Sequence, residues 1–448
     1  MFVMKNEEKT TKKTKKTSNR NGESPRNKYL RWEKLDNSAH LFPVIAGERM
    51  SNTYRISACL KEEINPVLLQ MALDTLLPLY EPFNVRLRRG FFWNYFEENG
   101  RKAPTVRLEN GYPCKFIHSK FNRDYLFSVS YYKNRINIEV FHVLADGMGG
   151  ISFLKELVYH YLRLSHPEIE KITGDGLTPG TSMNQEDSFL RNYKKSSKPK
   201  YVTSKAYMIK GEHLRDNQLG VVTCKMDLLE LKAAAHKYGA SINEYLVGAY
   251  MYSIYRACLH GAVSSKNIRI AVPVNLRSFF ESVTVKNFFV MITAEFATRK
   301  EDHSFEEVLS VTRECLKSQM TKEHLEEIFS YNVSNQMNFF LKIQPRAIKN
   351  LAMRFVYSKS ARANSTTMTN IGNIAVEDVY KEYIDNFFPI LSMSKGQNIK
   401  ATICSFDQTM NVTFSSILRN VDIQQCFVKQ LATDGINVLL ETNGVYYE

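Results

Sequence analysis

Ten consecutive residues, Phe141-His142-Val143-Leu144-Ala145-Asp146-Gly147-Met148-Gly149-Gly150, carry the side chains best suited to chemistry in this chain. A histidine stands where a strand should stop, an aspartate follows four residues later, and glycines should then let the backbone turn into a helix. Such a stretch suits acyl transfer from a thioester to an alcohol or amine. In that reaction the acceptor must lose a proton as it attacks, and the carbonyl oxygen becomes an oxyanion. A histidine is the natural base, contributing roughly 10² to 10⁴ in rate. His142 is assigned that role. Backbone N–H groups near Gly147 and Met148, at a helix start, are the candidate oxyanion donors. Asp146 is expected to pin the loop and not to touch substrate. A buried aspartate needs a cationic partner, and Arg277, which ends a buried strand in the other half, is the candidate. The expected catalytic set is therefore His142, Asp146 and Gly147, braced by an Asp146–Arg277 salt bridge, with no metal.

These residues need a strand and a helix to hold them. Residues 125–132 and 136–142 read as a hairpin around Lys133-Asn134-Arg135, with Ile136, Ile138, Val140 and His142 on one face. Ile151, Leu154, Leu157, Val158, Tyr161 and Leu162 recur at helical spacing. Upstream, residues 53–60 alternate like a strand. Asn65-Pro66 opens a helix with Leu68, Leu69, Ala72, Leu73 and Leu76 on one face. Residues 85–97 read as one strand interrupted at Gly90. The stretch from about 167 to 205 is irregular and should connect two lobes. The second half starts again with strand then helix: 219–226, then 227–238 closed by Gly239. A Ser241–Glu244 capping box opens a longer helix. Residues 268–272 form a buried strand ending in Pro273-Val274-Asn275-Leu276-Arg277, and 288–296 form another. Residues 306 to about 349 are mainly helical. Residues 366–374 are a strand running into a turn, 399–404 and 410–416 a hairpin, and 422–440 a last helix. The expected fold is α/β (α+β in two layers). It has an N-terminal lobe at 29–180, a connector at 181–205 and a C-terminal lobe at 206–448.

Composition sets outer bounds. The 448 residues suffice for two or three domains. No apolar run approaches the roughly 18 to 20 residues of a membrane span, and the first residues lack the apolar core of a signal peptide. Seven cysteines, widely spaced and without a CxxC pair, fit a reducing cytoplasm better than a disulfide framework or zinc site. The net charge is +14, and residues 1–31 hold ten basic against three acidic residues. Residues 1–28 are therefore expected to be a disordered, solubilising basic tail. The alternative is electrostatic attraction to anionic lipid or nucleic acid, but without interleaved aromatics or apolar anchors the tail predicts no specific nucleic-acid partner. The remaining positive surplus mildly favours acidic ligands, such as a phosphorylated cofactor.

Residues 141–147 resemble the HHxxxDG signature of the chloramphenicol acetyltransferase-like superfamily. That group includes nonribosomal peptide condensation domains, wax ester synthases and alcohol acetyltransferases. Residues 273–277 are similar to its second-lobe segment, whose arginine pairs with the motif aspartate. Asn287-Phe288-Phe289 sits where the family has a strand opening near the substrate tunnel. Thr369-Asn370-Ile371-Gly372 resembles the Asn/Gly turn of alcohol acetyltransferases and wax ester synthases. The likeness runs from about residue 30 to 448 and is closest to stand-alone bacterial alcohol acetyltransferase-like proteins. It implies two lobes meeting in a V around a tunnel, with His142 midway and Phe141, Asn287, Asn370 and Gly372 as tunnel or turn residues. Phe141 replaces the first histidine of the signature; the second is generally the base. No carrier-protein or adenylation region flanks the domain, so the donor should arrive as acyl-CoA or on a separate acyl-carrier protein. The expected acceptor is a small-molecule alcohol or amine, and the chain should act as a monomer without a bound cofactor. The alternative is a non-catalytic relative that binds a ligand or a carrier protein.

Overall fold

In the computed structural model the described residues are 31–195, 204–215, 218–338 and 343–447. The expected basic tail, and residues 196–203 of the expected connector, lie outside them. The described chain is a mixed α/β structure with two large apolar cores.

The first core forms around the strands Thr53–Leu60, Phe127–Tyr132 and Arg135–Phe141. Helices Pro66–Leu79 and Gly147–Ser165 pack against it. The first helix starts where the sequence requires: the Asn65 side chain accepts from the N–H groups of Val67 and Leu68, and Pro66 occupies the first turn. The second core forms between a seven-stranded sheet and helices that include Ile242–Leu259, Phe305–Gln319 and Asp422–Thr433. The Ser241–Glu244 capping box is present at the start of the first of these.

The two halves interlock. The five-stranded sheet of the first half runs in the order Ile384–Leu391, Thr53–Leu60, Arg135–Phe141, Phe127–Tyr132, Arg107–Leu108. Its outermost member on one side, Ile384–Leu391, is thus supplied by the second half and pairs antiparallel with Thr53–Leu60. Tyr380, Phe387 and Phe406 also pack into the first core.

Three segments depart from the sequence reading. The stretch from about 167, read as irregular, carries helices Pro167–Thr173 and Ser188–Arg191, the first opened by Pro167 and the second capped by Asp187. Residues 85–97 form a hairpin, Val85–Arg89 against Asn94–Glu98, because the chain reverses after Gly90. The last helix stops at Thr433. Gly435 then adopts φ +86° and turns the chain into strand Val438–Thr442, which pairs with Gly220–Asp227. No helix among the described residues is long and apolar enough to cross a membrane.

Candidate active site

His142 follows directly on strand Arg135–Phe141, and its backbone N–H donates to Asn52 O at 2.9 Å. Its ring is half-buried among three others. Phe42 stacks on it at 4.5 Å, Tyr54 meets it edge-on at 5.2 Å, and Phe289 lies tilted at 5.6 Å. Burial lowers the His142 pKa, with the Asp146 charge opposing the shift. The shift favours the neutral imidazole, the form able to accept a proton.

One ring nitrogen is already committed. His142 Nδ1 lies 3.0 Å from Asn287 Oδ1, and Asn287 Nδ2 donates to Asp36 Oδ2 at 2.9 Å. Asp36 is buried and also accepts the Ala39 N–H at 2.8 Å. An ionised carboxylate only accepts hydrogen bonds, so it turns the amide N–H₂ toward itself and the amide oxygen toward the imidazole. While Asp36 is ionised, this places the proton of His142 on Nδ1 and leaves the lone pair on Nε2.

Asp146 and Arg277 form a bidentate pair across the two halves, with Arg277 Nη1 2.9 Å from Asp146 Oδ2 and Nη2 3.0 Å from Oδ1. Every polar site of both groups is used. Arg277 places its other three N–H bonds on Thr284 O, Asn275 Oδ1 and Lys286 O. Asp146 also accepts the backbone N–H of Gly149 at 3.2 Å and of Phe288 at 3.0 Å. This complete satisfaction is what makes a buried ion pair tolerable. The pair also ties the helix start to residues 284–288, which carry Asn287.

Asp146 is the N-cap of helix Gly147–Ser165. The N–H groups of Gly147 and Met148 stand in its first turn, where a helix offers them no internal acceptor. The glycines do not serve a turn, contrary to the sequence expectation: Gly147, Gly149 and Gly150 are helical and none has a positive φ. They serve close approach. A Cβ on Gly149 would lie 2.2 Å from Val285 O, and one on Gly150 would lie 2.6 Å from Tyr54 Oη. Tyr54 uses that hydroxyl to bond Asp146 O at 2.7 Å. Gly149→Ala must push back a backbone carbonyl in the segment that carries the pair's acceptors. It should destabilise the protein by roughly 1 to 3 kcal/mol, read as a lowered denaturation midpoint.

The remaining candidates divide. Asn370 and Gly372 sit in strand Thr366–Asn373, where the register against Ile399–Phe406 shifts. Asn370 Oδ1 accepts the Gly372 N–H at 2.8 Å, and Gly372 has φ +86°. This bulge carries Ile371, whose Cδ1 lies 3.5 Å from where a Gly147 Cβ would stand. Phe141 is a buried residue of the first core. Two site neighbours carried no assignment from sequence: Asp36, and Phe42 on the short helix Phe42–Ile45.

No family model matches the chain, and no curated protein matches it. Solved structures do. The first condensation domain of the calcium-dependent antibiotic synthetase, in complex with a substrate analogue, is 12% identical with a TM-score of 0.59, covering 91% of this chain and 99% of that one. The trichothecene 15-O-acetyltransferase of Fusarium sporotrichioides is 10% identical with a TM-score of 0.57, covering 90% and 94%. Polyketide synthase associated protein 5 of Mycobacterium tuberculosis is 11% identical with a TM-score of 0.56, covering 90% and 97%. Extending over nine-tenths of the chain, these likenesses give it the two-lobed fold of condensation domains and chloramphenicol acetyltransferase-like acyltransferases.

Proposed function

We propose that the protein is an acyltransferase that moves an acyl group from a thioester of coenzyme A or of an acyl-carrier protein to an alcohol or amine, in the manner of stand-alone alcohol acetyltransferases. The observation that carries this reading is a histidine whose Nδ1 lies 3.0 Å from Asn287 Oδ1, five residues before the start of helix Gly147–Ser165. Nε2 takes the proton of the acceptor O–H or N–H as that atom bonds to the thioester carbonyl carbon. The carbonyl electrons move onto oxygen, where the N–H groups of Gly147 and Met148 are the candidate donors. Collapse breaks the C–S bond, and the thiolate leaves with the proton held on Nε2. Asp146 and Arg277 take no proton; they hold the helix start and the Asn287 segment in register. Phe141 stands in the core, so its difference from the signature histidine leaves the base untouched. Free-thiol release from a panel of acyl-CoAs, offered with alcohols and amines, tests the reading. Ligand binding without thiol release across the panel would favour the non-catalytic alternative.

The relay to Asp36 adds a pH test. Burial pushes the Asp36 carboxyl up from 3.8 to about 7, while the hydrogen bond from Asn287 pulls it down. Asp187 raises it further, and Lys286 lowers it. Once protonated, Asp36 can donate, the amide can turn over, and the His142 proton can move to Nε2, the wrong tautomer for a base. Turnover should therefore rise with pH through about 7. Asp36→Asn should lower turnover and abolish that inflection. Stability gives an independent readout. The folded state keeps the Asp36 proton where the unfolded chain has lost it. The stability of wild type relative to Asp36→Asn should therefore be greatest below pH 3.8 and should decline as pH rises to about 7. A pH series of denaturation midpoints measures this, and parallel curves for the two proteins would contradict it.

A further inference from the structure

Helix Arg346–Ser360 is built inside out. A surface helix ordinarily buries its apolar stripe and exposes its charges. Here Lys349 is the buried residue, its ammonium 3.4 Å from the Trp93 ring centroid. The outward face instead shows Ile348, Leu351, Phe355 and Val356, which are 55%, 71%, 60% and 64% exposed. Ile348, Leu351 and Phe355 recur at intervals of three and four residues, and Val356 lies beside Phe355, so they form one apolar face. The stripe is edged by cations: Arg354 and Lys359 are exposed, and the Lys359 ammonium lies 4.4 Å from the Phe355 ring centroid. No acidic residue occurs between Glu327 and Glu377.

A second element extends the same surface. The tip of hairpin Val85–Arg89 and Asn94–Glu98 exposes Phe91 and Phe92, 71% and 45% accessible. It is fastened to the helix start, where the Arg346 N–H donates to Phe91 O at 3.0 Å and Arg346 Nε to Gly90 O at 3.0 Å. Arg89, at the end of the first hairpin strand, is also exposed. Phe91, Phe92, Leu351 and Phe355 project beside Arg89, Arg354 and Lys359, and the helix and the hairpin tip carry no acidic residue, which matches the composition of an interfacial helix on anionic lipid. An acidic protein partner would satisfy the cations, but it would have to enclose a stripe and a hairpin tip that both project outward.

We propose that the face formed by helix Arg346–Ser360 and the hairpin tip at Phe91 and Phe92 docks on an anionic lipid surface. The face adjoins the candidate site: Arg354 Nε donates to Val44 O at 2.9 Å, in the short helix whose Phe42 stacks on His142. Docking therefore sets the site close to the bilayer surface.

Co-sedimentation of the full-length chain with vesicles of phosphatidylcholine containing about 30% phosphatidylserine tests this, with pure phosphatidylcholine alongside. Wild type should partition onto the mixed vesicles, more weakly onto the neutral ones, and less in about 0.5 M salt. Leu351→Ser/Phe355→Ser removes two exposed anchors and keeps the N-terminal basic residues. It should weaken partitioning at least about tenfold with an unchanged Tm and unchanged thiol release from soluble substrates. Equal partitioning of the variant and wild type would overturn the proposal and assign any binding to charge elsewhere, as in residues 1–31. Absence of vesicle binding would also overturn it. If that absence came with self-association that the variant abolishes, the face would belong to a second copy of the chain.

Discussion

Arg277→Ala should destabilise the protein by about 3 to 5 kcal/mol, one of the two largest effects expected of any single substitution here. The variant leaves the Asp146 carboxylate buried with two backbone N–H groups and no cation. It also strands three further acceptors, Thr284 O, Asn275 Oδ1 and Lys286 O, that the guanidinium now serves. Arg277→Lys keeps the charge but has three donors where five are used, and no planar fork, so it should recover only part of the loss. Urea denaturation measures the effect. Pairing Asp146→Leu with Arg277→Met should cost less than the two single changes summed, because each single change leaves a lone buried charge and the double change leaves none. Additive costs, or a single-variant loss within about 0.5 kcal/mol of zero, would show that the pair does not brace the halves.

His142→Ala should lower turnover by roughly 10² to 10⁴, equivalent to about 3 to 5.5 kcal/mol of barrier, and should leave stability nearly intact. The two readouts separate because His142 is only half-buried and its ring bonds one amide, whereas Asp146 and Arg277 are enclosed and fully bonded. Asn287→Ala should act in between. It frees the imidazole to choose its tautomer and leaves the Asp36 carboxyl without its side-chain donor, so both turnover and stability should fall. A fall in kcat at constant KM would place the effect on the chemical step.

How much of this was legible in the sequence depends on how local each signal is. His142 could be set at a strand end because Ile136, Ile138 and Val140 alternate toward it. Arg277 could be connected to Asp146, 131 residues away, by one argument: a buried carboxylate needs a cation. Asp36 had no such argument. A single acid in a short irregular segment looks solvated, and its bond to Asn287 spans 251 positions. Strand Ile384–Leu391 was missed because Asn386-Phe387-Phe388-Pro389-Ile390-Leu391 lacks alternation and Pro389 argues against a ladder. The proline stands on the edge strand of its sheet, where its missing N–H costs little. The last helix was drawn too long because Val438, Leu439 and Leu440 prolong an apolar pattern that either structure could use; Gly435, at positive φ, is what ends it. The glycines after Asp146 were legible as special but not for the right reason. A sequence shows that a side chain is missing, and only the fold shows that Val285 O and Tyr54 Oη fill the space.

The central claim is that His142 removes the acceptor's proton, and steady-state release of free thiol tests it most directly. Wild type and His142→Ala would be compared on one acyl-CoA and one acceptor that the wild type joins, across the pH range that spans the Asp36 transition. The account predicts acceptor-dependent thiol release by wild type, rising through about pH 7. It predicts a rate lower by at least about 10² for His142→Ala at every pH. Undiminished turnover by a folded His142→Ala protein would contradict it.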